Sequence, residues 1–310
     1  MANIDLGKRN TLESDIDAAL ADSVSSLSSV LSAPQEPDYI AALTCNFPDI
    51  LKGVLSSHIP HLKFSVCGCY VHQKPKIRFD DPSFPKKEME LGDLLIVYKE
   101  DDGSKVLYNS LLLQAKMAKK KFPQTVPRKE EHQLTLYDKW PRFKYIHAPL
   151  IGTTRDIYPK SIHAGGQYLL IDCNRPAIFF LCATPSKKLS PSSSFAEQLI
   201  RLIEFKTGDV FFSRSSSYIV DDWSNMIWDL LDLTKTFPFN TFNRRKARYT
   251  NTNRQWGDAI DLLSVNDMKD TIEVLRDKFG NDSDNIDEDN AEGNSGISLI
   301  CIEARNATER

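Results

Sequence analysis

Two apolar runs, Leu94-Leu-Ile-Val-Tyr98 and Leu111-Leu-Leu113, stand on either side of Glu100-Asp-Asp-Gly103-Ser, and this arrangement constrains the fold more than any other feature of the chain. Asp-Gly is turn chemistry that returns a strand on its predecessor, so the runs are expected to pair as a β-hairpin. Each run then delivers polar residues where a buried strand does not readily tolerate them. Side chains alternate faces along a strand, so Gln114 and Lys116 point the same way, while Ala115 points oppositely and leaves its carbonyl available. Asp93 stands at the mouth of the neighbouring strand. An acid, an amide and an amine therefore converge on one spot.

That combination suits a hard divalent cation. Mg2+ takes oxygen ligands and keeps several waters, so the Asp93 carboxylate, the Gln114 amide oxygen and the Ala115 carbonyl form a partial shell. Lys116 beside it would orient a nucleophile or stabilise charge growing on a phosphate. The alternative is a surface-capped hairpin whose Lys and Gln are merely solvated.

Seventeen residues beyond Lys116, Gln133-Leu-Thr-Leu-Tyr137-Asp-Lys-Trp140 has the spacing of an amphipathic helix, with Gln133 and Tyr137 on one face. The order Asp93, then Gln114-x-Lys116, then Gln133-x-x-x-Tyr137 resembles the PD-(D/E)xK nuclease superfamily, particularly its branch with the extra helix motif of RecB-type exonucleases. The resemblance spans roughly residues 60 to 140. It implies a restriction-endonuclease-like core, Mg2+ or Mn2+ as cofactor and DNA as substrate, in a restriction or anti-phage defence role. It also implies site residues: Asp93 and Gln114 as metal ligands, Lys116 as the catalytic lysine, and Gln133 with Tyr137 lining the site. The chain departs from the commonest pattern at Gln114, which replaces an acid as in a Mrr-like minority, and in lacking a proline before Asp93. A further carboxylate would offset that lost charge. Glu90 is the nearest, although strict alternation would place it on the opposite face. On the helix before the first strand, where the superfamily often supplies an acid, the candidate is Asp49.

Charge fits a polyanionic partner better than the net value of −3 suggests. Asp282, Asp284, Asp287, Glu288, Asp289 and Glu292 outweigh that value, leaving the remainder basic. Lys119, Lys120, Lys121 and Arg128 follow the hairpin as candidate nucleic-acid contacts, with Lys129 beside them. A second cluster is Arg244, Arg245, Lys246, Arg248 and Arg254. Such clusters attract a phosphate backbone, or else form a solvated face.

The whole chain reads as α/β, with a mixed central sheet of about five strands flanked by helices and extra helices towards the C-terminus. Three parts are expected: a helical segment 1–36, a nuclease-like core 37–235, and a helical extension 236–310 with an acidic loop at 281–295 and a final strand. Within them, helices are expected over 14–31, 39–55 (interrupted by Pro48), 195–206, 223–233 and 258–279. Strands are expected over 61–71, 167–172, 177–184 and 297–302 besides the hairpin. The absence of a leader or an apolar run near 18 residues predicts a cytosolic protein without a membrane partner, and leaves open a homo-oligomer or a partner subunit of a defence system. Six cysteines without a C-x-x-C pair point to reduced thiols. Zinc ligation by Cys67 and Cys69 with His61 or His72 lacks a second ligand pair. His132 is a further proton-carrier candidate, with an exposed helix residue as the alternative. Nucleotide-triphosphate, dinucleotide, zincin and α/β-hydrolase motifs are missing. A rival to the enzyme is a nuclease-like fold that has lost catalysis and works as a nucleic-acid or protein interaction module.

Overall fold

The computed structural model describes residues 4, 6–71, 75–84, 87–118, 121–174, 178–213, 221–235, 241–244, 247–250 and 296–307. Helices α1 (Leu6–Val24), α2 (Leu27–Val30) and α3 (Glu36–His58) precede β1 (Leu62–Cys69), β2 (Lys76–Phe79) and β3 (Glu88–Glu90). The hairpin is β4 (Leu94–Asp101) and β5 (Val106–Met117). Next come β6 (Gln124–Thr125), a 3-10 turn (Arg128–Glu130), α4 (Glu131–Lys139), β7 (Phe143–Tyr145) and β8 (Thr154–Arg155). Strands β9 (Gly166–Asp172), β10 (Phe179–Ala183), β11 (Lys188–Leu189) and β12 (Ser193–Ser194) lead to α5 (Phe195–Ile203), β13 (Asp209–Val210) and α6 (Asp222–Lys235). The last elements are β14 (Thr241–Arg244), β15 (Ala247–Thr250) and β16 (Ser298–Asn306).

An eight-stranded sheet organises the molecule in the order β1-β16-β4-β5-β9-β10-β12, with β13 added against β5. It is mixed: β4 and β5 pair antiparallel as the turn chemistry requires, whereas β16 runs parallel to β4 and β9 parallel to β5. Both faces are covered, which is why the hairpin strands read as near-continuous apolar runs. Leu94, Ile96, Leu111, Leu113 and Ala115 join one core with residues of α1, α3 and α5. Leu95, Val97 and Leu112 join a second core with residues of α4, α6 and a small sheet ordered β3-β2-β7-β8. Gln114 and Lys116 share the Leu112 face.

Helix α3 buries Tyr39, Leu43, Phe47, Leu51 and Leu55, a stripe at four-residue spacing that lies against β1. The expected break at Pro48 does not occur, and the helix runs from Glu36 to His58 through the proline. Pro48 cannot donate to the Thr44 carbonyl. That carbonyl instead faces β1 at Gly68, where an added Cβ would overlap its oxygen. Other boundaries also differ. The first helix begins earlier than Ser14 and ends at Val24, and the central sheet has eight strands in place of about five. The extra strands include β12 and β13, two-residue pairings with no period-2 pattern to announce them. None of the six cysteines forms a disulfide. No helix among the described residues is long and apolar enough to cross a membrane. The expected helix at 258–279, the acidic loop, Lys119, Lys120, Arg245, Lys246, Arg254 and His72 lie outside the described residues.

Candidate active site

Strand β3 ends at Glu90, and the turn Leu91-Gly-Asp93 carries the chain into β4. The turn is braced from above. Tyr137 of α4 is fully buried and its hydroxyl donates to the Leu91 carbonyl at 3.0 Å. Gly92 admits this approach, since a Cβ there would crowd both Leu112 and the Tyr137 hydroxyl. Tyr137 therefore supports the segment that delivers Asp93. It does not line an open site, as the resemblance had implied.

The Asp93 N–H donates to the Leu113 carbonyl at 2.9 Å, which extends the hairpin ladder by one residue and fixes the carboxylate over β5. One carboxylate oxygen accepts the Ala115 N–H at 2.7 Å and also a hydrogen bond from the Gln114 amide nitrogen. Ala115 thus enters the site through its N–H, where the sequence had suggested its carbonyl. Gln114 is 1% exposed, and its amide oxygen is buried without a hydrogen-bond partner. Leaving such an acceptor unpaired costs on the order of 1–3 kcal/mol, so the site is short of one positive or hydrogen-donating group. Gln133 carries a second buried amide oxygen with no partner.

Glu36 is the residue that sequence reasoning missed. It opens α3 and accepts the Met117 N–H at 3.2 Å, which places its carboxylate at the end of β5 that bears Lys116. Asp49, the acid expected from this helix, is exposed. The signal was present: Glu36-Pro37-Asp38 combines a proline in the first helical turn with two early acids, and the Asp38 carboxylate accepts the Gln35 N–H at 2.7 Å. The helix expected over 39–55 starts past Glu36, whereas α3 begins at it.

The three acids feel one another. Burial raises the pKa of Asp93 well above the ordinary carboxylate range, and the charges of Glu36 and Glu90 push it further; Lys116 and the Ala115 N–H oppose. Burial raises Glu36 as well, with Glu130 and Glu90 adding to it against Lys116 and the Met117 N–H. Glu90 is raised by burial, against Lys76, a hydrogen bond shared with Asp93, and Lys116. Glu90, on a separate short strand, thus feels the charge of Asp93 despite the alternation argument. Among the described residues, however, no group of three or more His, Cys, Asp or Glu side chains is arranged to hold a metal ion.

Lys116 lies amid these acids, 3.3 Å from Glu130 at the end of the 3-10 turn. Burial pushes its pKa down, but Glu36, Asp93 and Glu130 more than offset this and leave it raised. Lys116 is therefore an ammonium at neutral pH. His132 next to that turn is pushed down by burial and by Lys87 and Lys116. Lys121 and Arg128 are exposed. Comparison with known protein families, with curated proteins and with solved structures finds no match.

Proposed function

We propose that this chain is a metal-dependent nuclease that hydrolyses phosphodiester bonds, with DNA as the substrate and the Asp93 cluster as its active site. The observation that carries the reading is the unpartnered Gln114 amide oxygen beside a buried group of acids whose pKa values are raised. Such a site has the acceptors and the negative charge to take a divalent cation in addition to the Lys116 ammonium. The donor set is all oxygen, which fits Mg2+ or Mn2+, and Mg2+ is commonly held by only one or two carboxylates with waters completing its shell. Asp93, Glu90 and the Gln114 oxygen would hold it, and Glu36 would add negative charge from the helix side. A bound metal supplies positive charge and Lewis acidity at the scissile phosphate. Lys116, held protonated, does not act as a base; it orients the nucleophile and stabilises the charge that develops on the phosphate. Glu130 holds the ammonium in place. Restriction or anti-phage defence is the setting that the motif resemblance suggests.

Titration with Mn2+ by calorimetry, on the wild type, Asp93→Asn and Gln114→Glu, tests the centre. Binding should vanish in Asp93→Asn and tighten in Gln114→Glu, and supercoiled DNA should be cleaved only with metal present. A second reading, an inactive nuclease-like interaction module, draws on the finding that, among the described residues, no three His, Cys, Asp or Glu side chains are arranged to hold a metal ion. It prevails if the wild type shows no Mn2+ binding that depends on Asp93.

A further inference from the structure

The small sheet beside the site has two unlike faces. Ile77, Phe79, Met89, Phe143 and Tyr145 are buried in the second core, so the alternate residues face outward. Register places these outward residues in a continuous array: Lys76 opposite Glu90, Arg78 opposite both Glu88 and Lys144. Lys76 and Arg78 are two residues apart, about 7 Å along the strand. Lys144 lies across the pair from Arg78, and Arg142 precedes it. Asp80 bridges the last two, at 3.0 Å from Lys144 and 3.5 Å from Arg142. Arg78 makes no ion pair among the described residues. Together with Phe79, Asp80, Pro82 and Lys144 it lines a pocket of about 200 Å³.

The array has a direction. Its first member, Lys76, sits opposite Glu90, the last residue of β3, from which the turn Leu91-Gly-Asp93 leads directly to Asp93, so the cations begin at the candidate site and lead away from it. Four cations face Glu88 and Asp80 once Glu90 is assigned to the site. The platform is also anchored, because Arg155 of β8 makes a two-point ion pair with Asp229 of α6, at 2.8 and 2.9 Å. Resting on the nuclease reading, we propose that this outward face is the track along which the phosphate backbone of DNA enters the site, with one phosphate seated between Arg78 and Lys144. A backbone bearing one charge per ~3.4 Å of helix axis on each strand matches a row of cations in charge and in extended form. Asp80 competes with DNA for Arg142 and Lys144.

Binding of a short DNA duplex, measured by fluorescence anisotropy over a range of salt without divalent metal, tests the track apart from the chemistry. The double variant Arg78→Gln with Lys144→Gln should weaken binding and flatten the slope of log K against log salt by roughly 1.8, two contacts at 0.9 each. Arg142→Gln, at a side chain 54% exposed, should flatten it by roughly half as much. Asp80→Asn should act oppositely, tightening binding and steepening the slope, an effect that no loss of folding can imitate. Unchanged affinity and slope in the double variant, or no wild-type DNA binding at low salt, would overturn the track. Mn2+-dependent hydrolysis of bis(p-nitrophenyl) phosphate reports on the centre separately. If hydrolysis is lost in the wild type while the binding shifts appear, the nuclease reading fails and the track stands; if hydrolysis persists without the shifts, the reverse holds.

Discussion

Glu36, Glu90 and Asp93 are held in a folded state that resists their ionisation, and stability must reflect it. A carboxyl whose pKa is raised on folding contributes no penalty below its unfolded value, near 4, and an increasing one as pH rises through the folded value. The metal-free protein should therefore lose stability from about pH 4 upward. Glu36→Gln keeps an oxygen for the Met117 N–H but cannot ionise; its melting temperature should exceed that of the wild type at pH 8 and match it near pH 4, in EDTA. Equal melting curves at both pH values would show that Glu36 is not strained by its neighbours. Lys116 works in the other direction. It is not the merely solvated lysine of the alternative reading, because its side chain is only 18% exposed and its charge offsets those of Glu36, Asp93 and Glu130. Lys116→Ala should abolish cleavage and also lower stability at pH 7 by on the order of 1–3 kcal/mol, as denaturant melts would report. A fully active variant would remove Lys116 from the mechanism, and an undiminished stability would mean that the acids are satisfied without it.

Among the elements, the hairpin was the most legible, because its apolar runs, Asp-Gly turn and polar strand end are all local signals, and β4 and β5 pair antiparallel around them as expected. What needed a third dimension was missed. Glu36 is far from Lys116 in sequence, and only the meeting of the α3 N-terminus with the end of β5 brings them together. The prolines of α3 also differ from expectation: Pro37 lies in its first turn, ahead of the expected start at residue 39, and Pro48 sits inside it without breaking it. The contact between Thr44 and Gly68 follows from the second of these and makes its own prediction. Gly68→Ala would force helix and strand apart, so it should cost about 1–3 kcal/mol in urea unfolding while the folded fraction keeps its activity. A neutral substitution would show that α3 can retreat from the sheet without loss. Tyr137 illustrates a different limit. Its i, i+4 spacing from Gln133 was readable, but whether it faces substrate or braces the Leu91 turn depends on packing that spacing does not encode.

For the molecule as a whole, the mixed α/β architecture was foreseeable from the alternation of strand and helix patterns, but the strand order was not. The position of β16 between β1 and β4 unites residues more than two hundred apart, and nothing in either segment's composition names its neighbour. This placement also sets a clock. While the chain is being synthesised, β1 and β4 emerge early, yet β1 lacks its strand partner and β4 keeps one row of N–H and C=O groups unpaired until the segment ending at Asn306 arrives. The sheet therefore closes late, and contacts this distant in sequence form slowly. Chains truncated before Ser298 should be recovered as aggregates, and supplying Ser298–Asn306 as a separate peptide during refolding should raise the soluble yield. Soluble, compact truncated chains would show that β1 and β4 find another partner. A ribosome stalled before β16 would carry a hairpin with Asp93, Gln114 and Lys116 already made but without the strand that flanks it, so any activity would be delayed until β16 has emerged.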